Sequence, residues 1–107
     1  METQTAIQRM IKDIKNDDVR IQITGYVKKL HENEDFILND KTGQIRVNLK
    51  DVEFSFKNED LVNVIGNLEI SMSGEKSIMV EFVQDMNKLN LAYYEKLYEI
   101  KKELLNQ

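Results

Sequence analysis

The 107-residue chain has no cysteine, no proline, no tryptophan and a single histidine. Without cysteine it has neither disulfides nor thiolate metal ligands, which fits a reducing intracellular setting. His31 alone builds no metal site, and no metal or cofactor is expected. No apolar run approaches the roughly 18 residues that span a bilayer, and Met1-Glu2-Thr3-Gln4 lacks the charged and apolar regions of a signal peptide. The expectation is a cytoplasmic protein with no membrane partner. Catalytic signatures are missing as well, with no glycine-rich phosphate loop and no His-Glu-x-x-His pattern. The carboxylates of Asp17-Asp18, Glu32 to Asp35 and Glu59-Asp60 read as solvated turn charges, and no enzyme is expected.

What is present suits one water-soluble domain, with 41% hydrophobic and 32% charged residues around one core. The net charge of −4 disfavours strong autonomous binding to nucleic acid, which draws affinity from Lys and Arg releasing counterions from phosphates. A local basic face remains compatible with an acidic whole.

Along the chain, Ala6, Ile7, Met10, Ile11 and Ile14 recur at three-and-four spacing, which predicts a helix over 5–15 with Thr5 as its N-cap. After Asn16-Asp17-Asp18 the period becomes two. Val19, Ile21, Ile23, Gly25 and Val27 then face inward against Arg20, Gln22, Thr24, Tyr26 and Lys28. Phe36 to Leu38 and Ile45 to Leu49 form a hairpin across the turn Asn39-Asp40-Lys41-Thr42-Gly43. Residues 51–60 read as a loop or irregular edge in which Phe54 and Phe56 plug the barrel or offer stacking surfaces. Strands follow at Leu61 to Ile70 and Ser77 to Gln84. Five strands, two of them bent at a mid-strand glycine, close most naturally as the oligonucleotide and oligosaccharide binding fold, the OB-fold, with a small sandwich as competitor. The fold class is therefore all-β with flanking helices: an N-terminal helical extension at 1–18, a barrel at 19–86 and a C-terminal helix at 87–107.

From Leu89 to Leu105 the helical period returns, and its apolar arc is about 180° wide where about 100° suffices for one docking surface. The arc contains two seams: Tyr93, Leu97, Ile100 and Leu104, and beside them Leu91, Tyr94, Tyr98 and Leu105. Both seams can cover the barrel, or one can pack at home while the other joins partner subunits, and periodicity does not choose.

The outward residues of the first three strands would form a nucleic-acid face, with Tyr26 stacking a base, Lys28, Arg46 and Lys50 meeting phosphates, and Ile37 and Asn48 between them. The alternative is a solvated sheet face.

The order Ala6-Ile7 through Met10-Ile11-Lys12-Asp13-Ile14, then Asp18-Val19-Arg20-Ile21 to Gly25-Tyr26-Val27 and Asn39-Asp40-Lys41-Thr42-Gly43, resembles the small subunit of archaeal replication protein A. Glu59-Asp60-Leu61-Val62-Asn63-Val64-Ile65-Gly66 and Glu81-Phe82-Val83-Gln84-Asp85-Met86 continue the likeness over nearly the whole chain. The resemblance implies a heterotrimeric single-stranded DNA-binding complex in replication, recombination and repair, held together by C-terminal helices. It implies larger OB-fold subunits as partners, contact with DNA that is direct or only through them, and a nucleoid-associated place in an archaeal cell. Telomere-capping OB-fold subunits are similar too, which keeps a protein-binding adaptor in view beside an autonomous single-strand binder.

Overall fold

The computed structural model describes residues 6–32, 34–49, 52 and 54–105. A two-residue strand, β1 (Ile7–Gln8), precedes the long β2 (Arg20–His31), the hairpin of β3 (Asp35–Asn39) and β4 (Gln44–Asn48), and a second pair, β5 (Leu61–Ile70) and β6 (Lys76–Asp85). The one α-helix among the described residues, α1 (Leu91–Leu105), follows. Hydrogen bonding runs in the order β1-β2-β3-β4-β6-β5, and β5 pairs back onto β2, so β2 to β6 close into a five-stranded barrel. The β4–β6 pairing is parallel and the others within the barrel are antiparallel. This is the OB-fold expected from the period-two pattern.

The inward residues fuse into one core that includes Ile21, Ile23, Val27, Leu38, Val47 and Val64. Val19, expected at the head of the inward row, is exposed because it precedes the barrel. Phe54 stacks on the buried Phe36 with centroids 4.9 Å apart, and Phe56 meets Phe54 edge-on at 5.2 Å. Both are partly buried and pack against the core, so these two rings plug the barrel.

The helix expected over 5–15 does not form. Residues 6–15 run instead as β1, paired in parallel with Ile21 and Gln22, and a 3₁₀ turn at Ile11–Asp13; Thr5 lies outside the described residues. Tertiary bonds outcompete the helical ladder here. The Ile11 N–H donates to the Asp40 carboxylate at 2.8 Å and the Lys12 N–H to Thr42 Oγ1 at 3.2 Å. A helix shorter than about 12 residues has little intrinsic stability to oppose them.

Three turn carboxylates expected to be solvated or merely turn-forming are buried: Asp18, Asp35 and Asp40. Asp18 accepts two bonds of 3.0 Å from the Arg9 guanidinium and one from the Lys15 N–H. Burial pushes the Asp18 and Asp13 carboxyls up. The bonds from Arg9 and Lys15 to the first, and from Lys102 and Tyr98 to the second, outweigh it, and both titrate below the ordinary carboxylate value. Asp35 is held low by hydrogen bonds from His31 and Arg46. A carboxyl whose folded pKa is depressed contributes stability that is fully present above its unfolded value, about pH 4, and lost as pH falls through the folded value. The urea midpoint should therefore hold between pH 7 and 5 and fall steeply below about pH 4.

Candidate nucleic-acid and partner interfaces

The barrel's register builds the sheet face expected to meet nucleic acid. Lys28 lies opposite Ile37, Ile37 opposite Arg46, Tyr26 opposite Asn39, and Asn48 opposite Asp35. Tyr26, Lys28, Ile37, Arg46 and Asn48 thus share one face of β2, β3 and β4; Lys50 lies outside the described residues. Beside them an open cleft of about 920 Å³ runs between Lys29, His31, Ile37, Arg46 and the Gly74–Lys76 turn. Thr24, expected on the same face, is instead buried and accepts a 2.8 Å bond from Asn63 Nδ2.

Two cations of this face, Lys28 and Arg46, are already engaged. Lys28 Nζ sits 2.7 Å from both Glu59 carboxylate oxygens, and Arg46 Nε donates to Asp35 at 2.7 Å. Asp35 also meets His31 Nδ1 at 2.8 Å. Tyr26 is flanked by the ammonium groups of Lys28 and Lys41, 6.0 and 5.9 Å from its ring centroid. The residues missed from sequence are the two acids. Asp35 was legible in principle, since a hairpin register across Asn39 and Gln44 puts it diagonal to Arg46 on the outward face. Glu59 arrives through tertiary structure alone. Among the described residues no cluster of His, Cys, Asp or Glu could hold a metal, and no helix is long and apolar enough to cross a membrane.

The α1 helix resolves into two faces. Leu91 and Tyr98 are each 6% exposed. Tyr98 Oη donates to Asp13 at 3.0 Å, Lys102 Nζ pairs with the same carboxylate at 2.9 Å, and Gln8 donates to Tyr94 Oη at 2.5 Å. Lys12 and Glu99 add an ion pair at 3.0 Å. The seam of Leu91, Tyr94 and Tyr98 therefore docks α1 on the N-terminal segment, which removes Leu91 and Tyr98 from any surface open to a partner. Leu105, assigned to that seam, is left exposed. Tyr93, Leu97, Ile100 and Leu104 are 61, 42, 46 and 64% exposed, and at 100° per residue they lie about 130° around the helix from the docked face. Half of the over-wide arc is used within the chain and half is not.

Residues 3–85 match the family described as Bacterial OB fold (BOF) protein; α1 lies beyond that match. None of the curated proteins matches the chain. Among solved structures, one chain of the S. pombe Stn1-Ten1 complex is similar at 16% identity with a TM-score of 0.75, over 95% of this chain and 96% of that one. A chain of a replication protein A heterotrimer bound to single-stranded DNA is similar at 18% identity and TM-score 0.66, over 81% and 73%. The second OB-fold domain of replication protein A from Methanococcus maripaludis follows at 20% identity and TM-score 0.65, over 78% and 99%. At these identities the likeness is one of fold.

Proposed function

The chain belongs to the bacterial OB-fold family, and from that premise we infer that it is a non-catalytic, cytoplasmic small subunit of a replication protein A-like complex that binds single-stranded DNA. In this reading it serves DNA replication, recombination and repair by holding larger OB-fold subunits together through α1, as the archaeal small-subunit resemblance implies. The observation that carries the reading is the exposed seam of Tyr93, Leu97, Ile100 and Leu104 on a helix already docked by its other side. Exposed apolar patches of this regularity on a small protein mark association surfaces. Two of the three structural neighbours named above come from a two-protein complex and a heterotrimer, which supports the choice of OB-fold partners.

The test is co-expression with the larger OB-fold subunits of the same genome. Leu97→Asp with Leu104→Asp places two carboxylates in the seam and should weaken the complex by about 2 kcal/mol or more, roughly thirtyfold. Both side chains are solvent-exposed, so the melting temperature of the free chain should stay put. A complex that survives the double substitution removes this role for the seam.

DNA contact in this reading belongs mainly to the partners, because Lys28 and Arg46 are occupied by Glu59 and Asp35. The isolated chain should bind oligonucleotides weakly and with a shallow salt dependence. Glu59→Gln releases Lys28, and the slope of log affinity against log salt should steepen by about 0.7, the value for one added phosphate contact on a single strand. An unchanged slope would mean that Lys28 does not face the DNA path.

A further inference from the structure

We propose that the free chain pairs with a second copy of itself through the exposed seam, the two α1 helices lying antiparallel about a two-fold axis. This rests on reading the seam as a docking surface and adds what covers it when larger partners are absent. The spacing of Tyr93, Leu97, Ile100 and Leu104, four then three then four, is the alternation of positions d and a in a heptad. Antiparallel pairing stacks d of one helix on a of the other, so Tyr93 meets the second copy's Leu104 and Leu97 meets its Ile100. The remaining two of the four layers repeat these contacts by symmetry, as an isologous interface requires.

Charge decides the direction. The residues flanking this seam are Lys96 and Glu103 at g, and Tyr94 and Lys101 at e. In a parallel pair g faces the e position five residues on, which would set Lys96 against the other copy's Lys101, twice. In the antiparallel pair g faces g and e faces e. Lys96 then meets Glu103 twice, and Tyr94 lies beside Lys101. Lys96, Lys101 and Glu103 make no ion pair among the described residues and are exposed. The seam faces about 130° away from the docked side of α1, so the chain's own barrel does not cover it. Four layers make a small interface, at the weak end of specific association, and the dissociation constant should be on the order of 100 µM.

Sedimentation of the full chain across concentrations reads the equilibrium. Lys96→Glu alone and Glu103→Lys alone each turn two attractions into two repulsions and should weaken the dimer about tenfold, while Lys96→Glu with Glu103→Lys should restore it. Because the chain has no cysteine, a mixture of Tyr93→Cys and Leu104→Cys variants should cross-link on oxidation. Tyr93→Cys alone should not, since its two copies would lie about 16 Å apart along the axis. A chain monomeric at all concentrations, a dimer strengthened by Lys96→Glu, or a double exchange that fails to restore pairing would each overturn the proposal. If self-pairing fails while Leu97→Asp with Leu104→Asp still abolishes co-purification with larger subunits, the second copy is excluded and the assembly role stands. If neither measurement responds, both fall.

Discussion

Asp40→Ala should destabilise the chain by about 4 kcal/mol, read as a fall in the urea midpoint with an unchanged slope. Asp40 is 3% exposed, and its carboxylate accepts from four donors. One oxygen takes the Thr42 N–H at 2.8 Å, the Thr42 hydroxyl at 2.6 Å and the Gly43 N–H at 3.2 Å. The other takes the Ile11 N–H at 2.8 Å, from a segment 29 residues away. Hydrogen bonds to a charged group are each worth about 1.5 to 3 kcal/mol, and donors stranded out of water carry a desolvation cost. The four are not additive, and the donors at the turn are partly solvated, so about 4 kcal/mol is expected and not the full sum. Asp40→Asn keeps one acceptor and should lose roughly half as much. The same substitution should loosen the 3₁₀ turn at Ile11–Asp13, because Asp40 anchors it. As Asp13 receives Tyr98 and Lys102 from α1, the helix should also lose amide protection. An alanine variant that unfolds at the original midpoint would show that the Asp40 turn is held by packing instead.

That chain of contacts also separates what could be read in the sequence from what could not. The barrel was legible because apolar residues recur at every second position over β2, β4 and β5, a local property of each segment. The N-terminal segment was misread for the complementary reason. Ile7, Met10, Ile11 and Ile14 have helical spacing, but the N–H groups of Ile11 and Lys12 are taken by Asp40 and Thr42, partners about 30 residues away that no short window of the sequence contains. The buried acids follow the same logic. Asp18 and Asp35 sit among polar neighbours and look solvated until Arg9 and Arg46 are brought against them. On α1 the width of the apolar arc was plain, while its division needed the docking of Tyr94 and Tyr98 on Gln8 and Asp13. That Tyr26, Lys28, Ile37, Arg46 and Asn48 share one sheet face followed from the alternation, while the electrostatics of that face did not. Sequence shows the cations but not that Glu59 and Asp35 neutralise them.

Gly66→Ala should cost about 3 kcal/mol or more, a large effect for one methyl group, and it tests how the barrel closes. Both mid-strand glycines were expected as bend points between sheet layers, and the structure supplies a sharper reason. A Cβ on Gly66 would meet the Met79 carbonyl oxygen and lie 2.9 Å from the Val80 Cα and 2.8 Å from the Ile78 methyl. Two of these three obstacles are backbone, in the strand to which β5 is paired, at the place where the β5–β6 register shifts between Ile65 and Gly66. A side chain can change rotamer to make room, but a paired backbone moves only by breaking ladder bonds. Ordinary overpacking costs about 1 to 3 kcal/mol, and an obstacle of this kind belongs at or above the top of that range. Gly74→Ala is the internal comparison. Gly74 has φ +87 but open space within 4 Å of the added Cβ, so only its left-handed backbone opposes the change, at about 1 kcal/mol. If the two alanine variants lose similar stability by denaturant titration, close backbone approach is not what keeps glycine at position 66. If Gly66→Ala loses several times more, the close backbone approach at the β5–β6 register shift is what keeps glycine at position 66.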